Sequence, residues 1–283
     1  MNGAETIVSV QHLGKRYGKF VAVNDVSFAV EQGEVFGLIG PNGCGKTTTV
    51  ECLQGLLRLD RGTVRILGLD PVTQGDQLRR RIGSQLQDSA LPDRIRVWEA
   101  LDLFASLSSR ATDRDSLLKE WGFEHKRNAS FASLSGGQKQ RLFIALALLN
   151  TPEVVFLDEM TTGLDPGARR VVWDLIDEIR ASGTTIILVT HFMEEAERLC
   201  DRVAVLRAGL VIALDTPSRL AAQYGGLARI MFSSDSRQLE WIERLPGAER
   251  MERRGSAVVV HGSSSVLPLL AAGLVQRGIV PAD

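Results

Sequence analysis

The fold of this chain is decided by residues 35–49, VFGLIGPNGCGKTTT. The apolar run over 35–39 predicts a buried strand, and a glycine-rich loop follows at once. In the next stretch the apolar residues recur on one side of a predicted helix: Val50, Leu53, Leu56 and Leu57. Backbone N–H groups of such a loop wrap phosphates, Lys46 reaches the β and γ phosphates, and Thr47 can ligate magnesium. The helix start adds positive potential there. The stretch therefore predicts a nucleotide site.

The composition is that of a folded globular protein. Hydrophobic residues make up 44% and charged residues 24% of the 283 residues, which excludes a disordered, collagenous or coiled-coil chain. At roughly 150 residues per domain, the length predicts two domains, or one large and one small. The formal net charge is -1, so the basic surplus typical of proteins that neutralise nucleic-acid phosphates is missing. We expect no nucleic-acid partner.

The sequence lacks the usual marks of a secreted or membrane-spanning protein. The best apolar runs, 142–149 and 266–275, fall short of the roughly 20 residues that cross a bilayer. The N-terminal stretch MNGAETIVSV has neither the basic start nor the apolar centre of a signal peptide. The three cysteines form no CxxC pair, so neither a disulfide framework nor a zinc site is predicted. We expect a cytoplasmic protein.

Strands and helices alternate up to about residue 225, which indicates a parallel α/β sheet. Strands are predicted at 7–10, 25–30, 35–39, 154–157 and 185–189. Helices are predicted at about 135–149 and 168–181. Helical periodicity over 88–133 indicates an all-helical insert, with Val97, Leu101, Phe104 and Leu107 in one segment and Leu117, Leu118 and Trp121 in another.

Beyond Gly225 the pattern changes and predicts a second, small α+β domain. Short strands are expected at 228–233 and 257–261, and helices at about 238–245 and 266–276. A βαββα order is that of a ferredoxin-like unit. We therefore expect domains at 1–225 and 226–283, with the last strand of the second one truncated at Asp283.

Two acids, Asp158 and Glu159, end the apolar strand that begins at Val154. One carboxylate there can hold magnesium, and the second can polarise an attacking water. Two acids in a solvated turn are the alternative interpretation. The phosphate loop in the same predicted sheet favours the chemical one.

The motif LSGGQ, residues 134–138, is one of five sequence features that together indicate a protein family. Together with GPNGCGKT at 40–47, VVFLDE at 154–159, GLDP at 163–166 and His191, it makes residues 6–225 strongly resemble the nucleotide-binding subunit of an ATP-binding cassette (ABC) transporter. Ser135 and Gln138 also fit a helix capping box. Two glycines in a first helical turn nevertheless cost roughly 1 kcal/mol each relative to Ala, and close approach of a phosphate explains them better. The implied fold is a P-loop NTPase cassette with a parallel-sheet core, an antiparallel β subdomain and the helical insert.

The resemblance implies ATP and Mg²⁺ as cofactors, with each ATP held between two copies of the subunit. Glu159 is then the general base or water-orienting group, and Lys46 and His191 stabilise phosphoryl charge. Gln87 is expected to contact magnesium and water, with Gln85 as a nearby alternative. The implied magnesium ligands are Thr47, Gln87 and Asp158.

The remaining nucleotide contacts also follow from the resemblance. Tyr17 is expected to stack on adenine, although a surface aromatic at a strand edge is the alternative. Ser135 and Asp165 are expected to face the nucleotide or loop of the opposite copy. The full binding set is Tyr17, Gly40, Pro41, Asn42, Gly43, Cys44, Gly45, Lys46, Thr47, Thr48, Ser135, Gly136, Gly137, Gln138 and Asp165.

Two positions depart from the family pattern. Met160 stands where a proline commonly follows the catalytic glutamate, which leaves the next loop less constrained in φ. Cys44 replaces the usual Ala or Ser of the phosphate loop. It either fills a small space or, because Lys46 and the helix start favour a thiolate, reacts with alkylating agents unless ATP shields it.

The segments 82–101 and 209–225 resemble the ATPases of drug- and antibiotic-resistance exporters. That resemblance predicts an ATPase, most simply a homodimer, that powers export of a drug-like or hydrophobic compound through a separate multi-helix membrane permease. It would then lie peripherally on the cytoplasmic face of the membrane. The alternatives are a soluble ABC ATPase acting on nucleic acid or ribosomes, and an importer ATPase with a regulatory C-terminal domain.

Overall fold

The computed structural model describes residues 5–85, 90–106, 114–224, 228–234, 236, 238–262 and 266–279. Within these ranges, none of the helices has the length and apolar character needed to cross a membrane. The chain divides into two compact units, Met1–Pro217 and Ser218–Asp283. This division falls somewhat before the expected one at 225/226.

The first unit contains a mixed sheet with helices on it. Its strands are β1 (Thr6–Tyr17), β2 (Phe20–Glu31), β3 (Val35–Ile39), β4 (Arg61–Ile66), β5 (Ile82–Gln85), β6 (Val154–Asp158), β7 (Thr185–Thr190), β8 (Arg202–Arg207) and β9 (Leu210–Asp215). Its helices are α1 (Lys46–Leu53), α2 (Gly75–Arg79), α3 (Val97–Ser106), α4 (Arg114–Glu120), α5 (Gly136–Leu148), α6 (Pro166–Ala181) and α7 (Met193–Leu199). Another helix, α8 (Pro217–Tyr224), begins where the first unit ends.

The strand order of this sheet is β4-β1-β2-β9-β8-β3-β7-β6-β5. The five strands from β8 to β5 are parallel to one another, whereas β1 is antiparallel to both β2 and β4. The strands β3, β6 and β7 lie inside the sheet and are buried along their whole length. Uninterrupted apolar strands of this kind are typical of a sheet covered on both faces. The predicted parallel α/β core with an antiparallel part is confirmed.

The helix after the phosphate loop is shorter than the apolar pattern suggested. It ends at Leu53, and Leu56 beyond it is 54% exposed. The cause is Gly55, whose φ is 72° and whose missing Cβ would lie 2.5 Å from the carbonyl oxygen of Pro71. A glycine in the left-handed region commonly ends a helix. The placement of Leu56 on the buried side was therefore wrong, and Leu57 is only partly buried.

The predicted helical insert packs onto α5. Two short 3-10 helices, Glu124–Lys126 and Phe131–Ser133, accompany α3 and α4. The buried residues of this cluster include four predicted ones, Val97, Leu101, Leu117 and Leu118. Phe104 is 37% exposed, although its spacing from Val97 and Leu101 puts it on the same side of α3. Leu107 lies outside the described residues.

The second unit is an α+β arrangement with its own core. Its elements are β10 (Ala228–Ser233), a 3-10 helix (Glu240–Arg244), β11 (Ala248–Arg254), β12 (Ala257–Gly262) and α9 (Val266–Gln276). The sheet order is β10-β12-β11, with antiparallel neighbours. The core residues are Leu239, Ile242, Val258, Val260, Val266, Leu270 and Leu274. The helix expected at 238–245 is a 3-10 helix, and residues 280–283 lie outside the described part.

Candidate functional site

The parallel strands bring three separate stretches of sequence to one edge of the sheet. In the pairing registers, Ile39 at the end of β3 lies beside Thr190, and Asp158 at the end of β6 lies beside Val189. The phosphate loop, the two acids and His191 each follow one of these strand ends. Ligands of open α/β sheets bind at this edge.

The loop between β3 and α1 can only be built from glycines at its two ends. A Cβ on Gly40 would lie 2.3 Å from the carbonyl oxygen of Leu206, and one on Gly45 would lie 2.5 Å from that of Ala22. Gly45 precedes α1 and offers it no side-chain cap. The N–H groups of the first helical turn therefore remain to be satisfied by an anion.

Lys46, the first residue of α1, is buried against the loop, with 5% of its side chain exposed. Its Nζ donates to the carbonyl oxygens of Gly40, at 2.9 Å, and Pro41, at 3.3 Å. The same Nζ lies 3.8 Å from Oε1 of Glu159. A positive charge thus stands between the loop and the acid.

Glu159 has a backbone conformation that is unusual for a residue with a side chain. Its φ is 48°, and its N–H donates to the carbonyl oxygen of Val189 at 2.9 Å. A non-glycine residue in the left-handed region costs about 1–3 kcal/mol, and such strain clusters at functional sites. The following Met160 is 1% exposed, so a buried side chain anchors the loop after Glu159. Oε1 of Glu159 lies 3.2 Å from Nδ1 of His191, without the alignment of a hydrogen bond.

Asp158 is a buried carboxylate whose charge is only partly compensated. The residue is 1% exposed, and neither carboxylate oxygen has hydrogen-bond geometry with any described residue. Burial, and next the charge of Glu159, raise the pKa of Asp158 to about 6, although Lys46 and the nearby Thr47 hydroxyl act to lower that pKa. Buried polar atoms normally have partners. Two orphaned oxygens beside a threonine hydroxyl therefore fit a ligand set for a hard cation.

A cavity of about 380 Å³ opens beside these groups. Two aromatic residues, Tyr17 and Phe20, lie directly opposite each other in the turn between β1 and β2 and line this cavity. The described residues around it are Tyr17, Phe20, Ala22, Asn42, Gly43, Gly45, Lys46, Thr47, Thr48 and Glu159. The structure thus places aromatic rings and the phosphate loop around one space of nucleotide size.

The comparisons with known proteins identify the family of this chain. A family model described as "ABC transporter" matches residues 23–162. The Nod factor export ATP-binding protein I of Ralstonia nicotianae is 40% identical over 264 residues, covering 92% of this chain and 82% of that protein. The protein of the same name from Bradyrhizobium diazoefficiens is 39% identical, covering 92% and 87%. This chain belongs to the ABC transporter family.

A solved structure agrees as well. It is described as an ATP binding subunit of an ABC transporter, and it is similar with a TM-score of 0.69 and 31% identity, covering 78% of this chain and 94% of that one. The cassette fold expected from the motifs is therefore confirmed. As a member of the ABC family the chain binds ATP and is an ATPase.

The LSGGQ motif at 134–138, here called the signature motif, lies at the start of α5, and its residues are not among the described ones that line the cavity. Oγ of Ser135 accepts the N–H of Gln138 at 3.3 Å, and Oε1 of Gln138 accepts the N–H of Ser135 at 3.0 Å. The capping box read from the sequence therefore forms. A Cβ on Gly136 or Gly137 would lie 3.2 Å from the side chain of Leu164 or Ala168. Both glycines thus also allow α5 to pack closely on the α6 region.

Asp165 caps the start of α6. Its Oδ1 accepts the N–H groups of Gly167, at 2.9 Å, and Ala168, at 3.0 Å, and Pro166 opens α6 behind it. The residue is the N-cap of α6. Neither Asp165 nor the residues of the signature motif are among the described residues that line the cavity.

The other predicted site residues have more varied surroundings. Gly40 and Pro41 contribute carbonyl oxygens to Lys46. Cys44 is buried, as are Cys52 in α1 and Cys200 after α7. Burial favours the space-filling interpretation of Cys44 over the reactive one. Gln87 lies outside the described residues, whereas the alternative Gln85 is buried in β5.

Sequence reasoning missed Phe20 and several residues of α6 and α7. Phe20 could have been found, because the two residues between Tyr17 and Phe20 include Gly18 and are typical of a tight hairpin turn. Such a turn places both rings together. The contacts of Arg169 and Trp173 with the segment after His191 join residues more than 20 positions apart. No pattern in the sequence indicates such contacts.

Proposed function

We propose that this ABC protein works as a dimer that binds two ATP molecules with Mg²⁺ and hydrolyses them to power export through a separate membrane permease. The observation that supports this most directly is the cluster of Lys46, Asp158, Glu159 and His191 beside the cavity. It contains a cation for phosphate, an orphaned carboxylate and a base, which are the parts that phosphoryl transfer needs.

The dimer is supported by the division of the motifs over two surfaces. The cavity is lined by the phosphate loop and the aromatic hairpin, whereas Ser135–Gln138 lie at the start of another helix. The N–H groups and dipole of a helix start attract phosphate. A second copy can present its own α5 start to this cavity, so that each ATP is held between two chains.

The chain's own residues then have distinct roles. The amide groups of the phosphate loop bind the β and γ phosphates, and Lys46 balances their charge. Glu159 is held by its strained backbone beside the cavity, where its carboxylate orients the attacking water and accepts its proton. His191 lies next to Glu159 and stabilises the γ-phosphate as charge develops.

The residues present also fit a magnesium ion. Asp158 and Thr47, with Gln87 as a third proposed ligand, would hold it together with phosphate oxygens and water, which is the coordination that Mg²⁺ prefers. When bound, the ion supplies neutralisation of phosphate charge. It would also give the Asp158 oxygens a partner where the described residues form no hydrogen bond with them.

Export and the permease rest on the relatives. The similar proteins are named for Nod factor export, so we propose the same direction here and a drug-like or hydrophobic cargo. The protein would lie on the cytoplasmic face of the membrane, held there by the permease. Transport measured in vesicles with the permease decides the direction, and cargo uptake instead of efflux would contradict it.

A complementation experiment tests the dimer. Ser135→Arg damages only the surface offered to the partner's ATP, and Lys46→Ala damages only the chain's own site. Each variant alone should be inactive, because both composite sites are broken. In a mixed dimer one of the two sites keeps both intact surfaces, so ATPase activity should return.

The control mixes two copies of Lys46→Ala that carry different tags. This mixture should stay inactive, because both of its sites lack Lys46. Mixed dimers are verified by pulling down one tag and detecting the other. If confirmed mixed dimers of Ser135→Arg and Lys46→Ala show no recovery, a shared site with independent turnover is contradicted.

A further inference from the structure

Two helices that follow proposed site residues are joined along their length. The α6 residues Arg169, Trp173, Asp177 and Arg180 recur at a spacing of three or four, so they lie on one face of that helix. Arg169 contacts Phe192 and Glu194, and Trp173 contacts Glu195. Asp177 pairs with Arg198, and Arg180 pairs with Asp201. We name this set of contacts the α6–α7 ladder. These contacts connect α6 to α7 and to the residues on either side of α7.

The carboxylate in the second rung of the ladder is sheltered from water. Glu195 is 1% exposed, and its Oε1 accepts the indole N–H of Trp173 at 3.3 Å. The buried Glu195 therefore resists being pulled from Trp173. Farther along, Arg198 donates to Asp177 at 2.6 Å, and both of these side chains are exposed.

The first rung reaches His191. The guanidinium carbon of Arg169 lies 4.9 Å from the ring centroid of Phe192, and the rings of Phe192 and His191 lie 4.1 Å apart with an interplanar angle of 39°. The Nε of Arg169 is buried, and among the described residues no group forms a hydrogen bond with it. Contact with the ring face and the Glu194 carboxylate at 3.7 Å therefore fixes this side chain.

The opposite end of the same helical turn reaches Asp165. The N–H of Arg169 donates to the Asp165 carbonyl oxygen at 3.0 Å, which is the first helical hydrogen bond of α6. One helical turn thus separates Asp165, which the family resemblance predicts to contact the opposite copy, from the stacked rings of Phe192 and His191. On the other side, His191 lies 3.2 Å from Glu159.

We propose that Arg169 is a positioning residue for ATP hydrolysis, which holds His191 against Glu159 through Phe192 and ties that position to the dimer contact at Asp165. The inference rests on the proposed function, because it assigns His191 a role at the γ-phosphate. Arg169 itself touches neither nucleotide nor water in this scheme. Its effect is exerted on the orientation of the imidazole.

The test uses the full chain and a matched pair of variants. Arg169→Ala should lower kcat for ATP hydrolysis about 5- to 50-fold with KM for ATP within about twofold, as expected when a catalytic group is misplaced and ground-state binding is not. Arg170→Ala is the control, because Arg170 is exposed next to it in the same helical turn. Binding of a fluorescent ATP analogue and the thermal midpoint verify that each variant is folded.

A double-mutant cycle separates positioning from a general structural role. If Arg169 acts through His191, Arg169→Ala should cause little further loss of single-turnover rate in a His191→Ala background. Phe192→Tyr, which keeps the ring face, should retain more activity than Phe192→Ala. Together these results would support the inference.

Two results would overturn it. One is a parental kcat for Arg169→Ala, and the other is an equal loss of rate whether or not His191 is present. Failure of the proposed function has a different signature: His191→Ala itself would then hydrolyse ATP at the parental rate, and the positioning role would fall with it.

Discussion

The surroundings of Asp158 in the folded protein disfavour the ionised form of its carboxyl group. Its two oxygens are orphaned among the described residues, and burial raises its pKa to about 6 from an ordinary value of 3.8. Between pH 3.8 and about pH 6, the Asp158 carboxyl has lost its proton in the unfolded chain but keeps it in the folded chain. The stability of the nucleotide-free protein should therefore fall as pH rises through this window and stay lower above it.

Replacing this carboxylate with a neutral isostere should stabilise the nucleotide-free protein. We expect Asp158→Asn to raise the free energy of unfolding by about 1–2 kcal/mol at pH 7.5, since part of the gain is offset by the buried amide. The difference from the parent should disappear below pH 4, where both side chains are neutral. Urea unfolding at several pH values measures it.

The same variant should lose the stabilisation that Mg-ATP gives the parent, because the proposed cation ligand is gone. Asp174→Asn, an exposed change on α6, is the matched control and should alter neither property. An Asp158→Asn protein that is less stable than the parent at pH 7.5 would show that the carboxylate is compensated after all.

At the scale of single elements, the sequence predicted the buried strands best. The apolar run at 35–39 matches β3 at both ends, because a strand covered on both faces is apolar throughout. The run at 7–10 found only part of β1, which extends to Tyr17. Its outer half carries His12, Lys15 and Arg16, and half-exposed strands of this kind lack a continuous apolar signal. The charged strand β11, AERMERR, gave no signal at all.

The site was predictable to the extent that motifs lie at strand ends. Lys46, Glu159 and His191 meet because their strands are parallel neighbours, and parallel order follows from the alternation of elements. The strain at Glu159 and the orphaned oxygens of Asp158 depend on three-dimensional packing, so the sequence could not show them. The ladder between α6 and α7 was hidden for the same reason.

The start of α6 allows two roles of Asp165 to be separated. Its Oδ1 accepts two backbone N–H groups of the first turn. Asp165→Ala should therefore lower the free energy of unfolding by about 0.5–2 kcal/mol, whereas Asp165→Asn should leave it nearly unchanged, because asparagine caps helices equally well. Urea denaturation of the two variants measures the cap.

ATPase activity then measures the second role. If the carboxylate charge acts on the opposite copy, Asp165→Asn should hydrolyse ATP more slowly even though its stability is kept. Equal destabilisation by Asn and Ala would contradict the capping role. Full activity and full stability of Asp165→Asn would leave the cap intact but exclude a role for the charge.

The whole molecule consists of two units with separate cores. The first contains the large cluster around the sheet and the helical cluster on α5, and the second has a core of its own around Val258 and Val260. The described residues that line the nucleotide cavity all lie between Tyr17 and Glu159. A unit with its own core can in principle fold alone.

A chain that ends at Tyr224 should therefore fold and bind ATP. This end keeps α8 whole, whereas a cut at the contact boundary after Pro217 would remove almost all of that helix. We expect an affinity for ATP within a factor of about three of the full chain, which is less than about 1 kcal/mol, because no cavity residue is removed. Any loss should appear in dimer lifetime or in coupling to the permease. Equilibrium binding of a fluorescent ATP analogue to both chains measures the affinity, and circular dichroism verifies the fold. A well-folded truncated chain that cannot bind ATP would show that the second unit completes the nucleotide site.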